Sequence, residues 1–122
     1  MSNLIPTPQI LTGFKGNMNP SVTTSIANSA TTSAAVTTGG FSLVGILTPS
    51  ALTGTTFTFT VSVDGTNFFP LYNSSGQVSY TVAASRYIAI NPVDFYGVQY
   101  FKIVSGSTEA AARTLTLAMK GF

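Results

Sequence analysis

Residues 56–63 read TFTFTVSV, with Phe57, Phe59, Val61 and Val63 alternating against Thr and Ser. A period of two is the signature of a β-strand with one buried face and one wet face. The next four residues, Asp64-Gly65-Thr66-Asn67, carry turn chemistry. Gly65 tolerates positive φ and the Asp64 side chain can bond its own backbone, so the spacing predicts a hairpin into residues 68–72. Moving outward, residues 73–76 (NSSG) predict a second turn, and residues 78–82 and 87–90 two more short strands. Asn91-Pro92 breaks the chain, with Asp94 as a turn or cap residue. Residues 99–105 read as a strand and 106–112 as a loop. Residues 113–120 (RTLTLAMK) alternate again, with Leu115, Leu117 and Met119 on one face. On the N-terminal side, residues 41–47 are apolar on both faces, with Phe41, Leu43 and Leu47 on one and Val44 and Ile46 on the other. No helix of ten residues is indicated; residues 109–113 offer one turn at most. Seven or eight strands at this spacing predict an all-β fold, an antiparallel β-sandwich or jelly roll.

Residues 1–38 differ from the rest. They hold Pro6, Pro8 and Pro20, a low-complexity run at 21–38 (SVTTSIANSATTSAAVTT) and one charge, Lys15. They are expected to form an N-terminal arm, partly extended, or to carry one or two Thr-rich strands within 22–38, where Val22, Thr24 and Ile26, and Ala34 and Val36, can alternate. Residues 39–122 form the sandwich domain.

Composition narrows the function. Of 122 residues, 7% are charged, and 19 Thr and 14 Ser supply most of the polarity; a typical soluble domain has about 25% charge. There is no Cys and no His. That removes a disulfide framework, a thiolate nucleophile, a sulfur-based zinc site and the commonest general base. Three acids, Asp64, Asp94 and Glu109, leave little for a two-carboxylate mechanism. A net charge of +2 spread over the chain argues against nucleic acid, where roughly 6–10 cationic contacts are usual. Mean hydropathy is +0.37, yet no apolar run approaches the ~20 residues of a membrane-spanning helix. The first residues lack a basic start followed by an apolar stretch, so no cleaved signal is expected. Asp64 with Asn67 admits a small calcium loop, but the turn explains the same residues. Phe68, Phe69 and Tyr72 admit a sugar platform, with core packing the stronger expectation.

Strands apolar on both faces need a cover, and low charge suits a chain packed into an assembly. The expected contact residues are Ile5, Ile10 and Phe14 in the arm, Val44 and Ile46 in 41–47, and Tyr100 and Val104 in 98–104.

The phrases 40–49 (GFSLVGILTP), 62–68 (SVDGTNF), 87–92 (YIAINP), 95–106 (FYGVQYFKIVSG) and 112–117 (ARTLTL) resemble a family of small β-sandwich proteins encoded among the structural genes of tailed bacteriophages. The resemblance spans residues 38–122. It implies a virion protein on the capsid surface, a head decoration or cement protein that binds the major capsid protein. Such proteins bridge capsomers, often as homo-oligomers (dimer or trimer) with extended arms. It carries over no catalytic residue and no cofactor, so the expectation is a non-enzyme. The alternative is a tail or fibre carbohydrate-binding module recognising the host surface.

Overall fold

The computed structural model describes residues 19–122. Eleven strands run in chain order: β1 Ser21–Ile26, β2 Val36–Thr37, β3 Ser42–Leu47, β4 Thr56–Ser62, β5 Phe69–Pro70, β6 Tyr72–Asn73, β7 Gly76–Gln77, β8 Ser79–Thr81, β9 Tyr87–Ala89, β10 Tyr100–Ser105 and β11 Arg113–Lys120. Among the described residues the helical content is one 3-10 turn, Pro92–Phe95. None of their helices is long and apolar enough to cross a membrane.

The first sheet has the order β1-β11-β3-β9 and the second β2-β10-β4-β5, and the named strand pairs are antiparallel. β8 pairs with β4 beside β5, at Thr56–Thr58, so β5 and β8 together make one edge strand interrupted by the β6–β7 hairpin. Outside the β4–β8 stretch, every connection crosses from one sheet to the other. That winding is a jelly roll.

The core lies between the sheets. Leu43, Ile46, Leu115, Leu117 and Met119 face Phe57, Phe59, Phe101 and Ile103. Phe95 enters it from the 3-10 turn, with ring centroids 5.1 Å from Phe59 and 5.4 Å from Phe101, both edge to face. Such pairs add about 0.5–1.5 kcal/mol beyond their buried area.

Several strands follow the sequence reading, including the inward Leu115, Leu117 and Met119 of β11. β3 does not. Its pairing with β11 skips Val44, so Leu43 opposes Met119 and Ile46 opposes Leu117. This bulge puts Leu43 and Ile46 on the same inner face, where both are buried, and turns Leu47 outward. Residues 41–47 are therefore apolar because a bulge rotates the strand part-way along, not because both faces are apolar. Ile46 is 0% exposed and is a core residue, which corrects its expected role as a contact.

β4 ends at Ser62, one position before the alternation does. The Ser62 hydroxyl donates to Asp64 Oδ1 (2.9 Å) and accepts from the Gly65 N–H (2.8 Å). This diverts the chain, and Val63 leaves the ladder for solvent, contrary to the inward face the alternation assigns it. The strand expected at 68–72 is two short pieces with exposed Phe69 and Tyr72, and Leu71 between them is the residue that reaches the core. Core packing was the stronger expectation for these aromatics; Pro70, which cannot donate to a ladder, sits at the sheet edge instead.

The Thr-rich segment does carry a strand. β1 lies at the edge of the first sheet along all of Ser21–Ile26. Thr24 and Ile26 are buried opposite Leu115 and Arg113, Thr32 bridges Val104, and β2 joins the second sheet. Residues from Ser21 onward are thus built into both sheets, although the sequence reading starts the sandwich at 39. Of that reading's arm, residues 1–18 lie outside the described residues, with Ile5, Ile10 and Phe14 among them.

Candidate functional site

The two ends of the sandwich are finished differently. At the end where β11 begins, a carboxylate closes the structure. Glu109 sits in the 106–112 loop, fully buried. Its Oε1 accepts from the Thr53 N–H (2.9 Å) and from Arg113 Nε (2.8 Å). Its Oε2 accepts from the Gly54 N–H (2.9 Å) and the Ser105 hydroxyl (3.1 Å). The backbone of Glu109 also bonds Ser29 and Ala30. Burial pushes this carboxyl up, but the donors from Thr53, Arg113, Gly54 and Ser105 outweigh it and hold it at about 2. The carboxylate partners of Glu109 are Thr53 and Gly54 in the β3–β4 loop, Ser105 at the end of β10 and Arg113 at the start of β11, so that only Ser105 and Arg113 lie near it in sequence. Its chemistry is that of a latch, with all four carboxylate bonds spent internally.

The other end is open and apolar. The 3-10 turn starts at Asn91, whose side chain accepts from the Val93 N–H, and Pro92 occupies the first turn where its missing N–H costs nothing. Phe95 plugs into the core, and Gly97, at φ +80°, swings the chain back toward β10. Tyr96 is left standing outside, its ring 5.7 Å from that of Phe122. Two clefts flank it. One, of about 340 Å³, is lined by Thr38, Phe41, Tyr96, Val98 and Phe122 among others. The second, of about 440 Å³, is lined by Val61, Val63, Asp64, Asn67, Phe69 and Tyr96 among others. Val63 (78% exposed), Phe122 (66%), Phe69 (65%) and Tyr96 (55%) crown this end. Among the described residues, Asp64 is the only charged one lining either cleft.

The Asp64 carboxylate is occupied by its own turn. It accepts from the N–H groups of Thr66 (2.8 Å) and Asn67 (2.9 Å), from the Ser62 hydroxyl, and from the Asn67 amide (2.9 Å). These bonds, led by the Asn67 and Thr66 N–H groups, hold its carboxyl well below the usual carboxylate range. The arrangement is an Asx turn, and the residues that admit a calcium loop are explained by it. Among the described residues, no three His, Cys, Asp or Glu side chains gather as a metal site would need.

A third surface is the outer face of the first sheet. Register places Thr23, Thr116, Leu47 and Tyr87 in one row, and Ser21, Ala118, Gly45 and Ala89 in the next. None of these eight residues is charged. The hydroxyl end of the Tyr87 ring lies over Gly45, in the space a Cβ there would need. Lys120 stands on the same face at the end of β11, and Lys102 stands on the outer face of the second sheet with its Nζ 4.4 Å from the Phe68 ring centroid.

The expected contact residues do not converge. Val44 is half-buried at the bulge of the first sheet. Tyr100 and Val104 are half-buried on the second sheet's outer face, opposite Ser62 and Thr58. The Tyr100 ring lies under the 64–67 turn, 3.2 Å from where a Gly65 Cβ would be. Sequence reasoning missed Tyr96, Val63 and Phe122. A Phe after Gly121, and Tyr-Gly just beyond a Pro-led turn, were the available signals. No protein-family model matches the chain, and no curated protein matches it in sequence.

Proposed function

We propose that this protein is a non-enzymatic structural component of a tailed-bacteriophage particle, a decoration protein that seats on the major capsid protein. The observation that supports this best is the pair of uncharged rows on the outer face of the first sheet, Thr, Ser and Ala with Leu47 and Tyr87 exposed among them, Lys120 standing at the end of that face. A sheet surface poor in charge sheds water at little desolvation cost. Jelly rolls recur in viral shells, and the phrase resemblance points the same way. On this reading the protein binds as a dimer or trimer across a capsomer junction, on the capsid surface. The free energy of burying that face then opposes outward pressure from packaged DNA. Purified heads should contain the protein at fixed stoichiometry to the major capsid protein, and Leu47→Asp with Tyr87→Asp should abolish that incorporation. Recovery of the protein only in tails would sink the reading.

Exposure of Phe69 and Tyr72 favours a second reading, a tail or fibre module that binds host sugars, since jelly rolls also serve as lectins. A glycan array read at high protein concentration should then light up, and Tyr72→Ala should darken it.

A further inference from the structure

We propose that the second cleft beside Tyr96 binds a neutral saccharide, with one sugar ring against Phe69 and Tyr96 and two adjacent hydroxyls on Asp64 and Asn67. This rests on the sugar-binding reading, to which it gives a site, and does not need a tail or fibre location. Three observations carry it. The first is size and lining. The cleft holds about 440 Å³, within the roughly 300–1,000 Å³ of small-molecule sites. Val61, Val63, Phe69 and Tyr96 make it mostly apolar, and Asp64 and Asn67 add polar atoms. A pyranose divides in the same way, with C–H groups on a ring face and hydroxyls around its rim. Phe69 and Tyr96 are both more than half exposed, so their rings are open to such a face.

The second is the hydrogen-bonding capacity that the Asx turn leaves over. Asp64 Oδ1 accepts three donors, but among the described residues Oδ2 accepts one, the Asn67 amide at 2.9 Å. Both side chains are exposed. Oδ2 therefore has room for a further donor, and the amide keeps a second N–H. Two hydroxyls on adjacent ring carbons meet that need side by side, one donating to Oδ2 and the other accepting from the N–H. The third is preparation. The turn fixes the carboxylate before a ligand arrives, so little side-chain freedom is lost on binding. Selectivity follows from charge. The Asp64 carboxyl is held well below the usual carboxylate range, and among the described residues no cation lines the cleft. Acidic sugars are repelled and neutral ones are taken.

The test is an array of neutral and acidic glycans probed with the full chain. Neutral spots should light up and acidic ones stay dark. Tyr96→Ala and Asn67→Ala, each melting as the parent does, should weaken binding to the same spots by about ten-fold. The terminal sugar of the brightest glycans, added as its methyl glycoside, should shift the amide resonances of residues 63–67 and 96–98 in a saturable way. Lit spots that survive both substitutions would overturn this site and leave the sugar-binding reading standing. So would a methyl glycoside that shifts resonances elsewhere, or an array lit only by acidic glycans. A dark array would overturn the site and the sugar-binding reading together. Should either variant fail to fold, the amide shifts of the parent protein decide alone.

Discussion

Glu109 has the most exacting environment of any side chain here. A fully buried carboxylate with four donors is stable only while all four remain. Glu109→Ala strands the N–H groups of Thr53 and Gly54 and the Arg113 guanidinium, and should cost ~3 kcal/mol, read as a lowered midpoint in urea. The carboxyl sits at about 2, below its ordinary 4.5. A group lowered on folding stabilises the fold above its unfolded value, and that contribution drains away on acidification. Stability should thus fall as pH drops from about 4.5 toward 2, and a Glu109→Gln variant should show a smaller fall in the same melts. Gly54 serves the same latch, since a Cβ there would collide with the Ser105 hydroxyl, so Gly54→Ala should destabilise nearly as much. Gly45 makes the opposite case. Its Cβ would meet only the half-exposed Tyr87 ring, which can swing aside. Gly45→Ala should therefore cost under about 1 kcal/mol and leave melting cooperative, as expected of changes away from the core.

Elements were legible in the sequence where local pattern and tertiary demand agree. β4 and β11 alternate cleanly and were placed to within a residue. β3 was legible as a strand, but its faces were not. A bulge leaves no mark in residue type, because Val44 is as apolar as the Leu43 and Ile46 it separates. The end of β4 was obscured likewise. Val63 continues the alternation, while Ser62, which ends it by bonding Asp64 and Gly65, looks like an ordinary outward residue. The Asx turn itself was legible, since Asp-Gly-Thr-Asn names its own bonds. The open end was the least legible feature: Val63, Phe69, Tyr96 and Phe122 are brought together from four separate segments. Phe95 sits between element and core, pinning the 3-10 turn to Phe59 and Phe101. Phe95→Ala should cost about 3–5 kcal/mol, and by freeing Tyr96 it should also broaden the amide resonances of residues lining both clefts.

At the scale of the molecule, the two sheets are stitched by a polar latch at one end and left apolar at the other. The low charge noted in sequence acquires a location: the two rows through Thr116 and Ala118 on the first sheet's outer face carry none, and in the clefts beside Tyr96 the Asp64 carboxylate is taken up by its own turn. The winding also places β11 in the interior of a sheet, between β1 and β3. β1 therefore has no sheet neighbour until Arg113–Lys120 exist, and the sandwich cannot close before then. A nascent chain stalled before Arg113 should stay protease-sensitive however long it waits, and become resistant only once β11 is free to pair. Until that point its Phe-rich strands are bare, and the chain leans on chaperones in proportion to how fast it is produced.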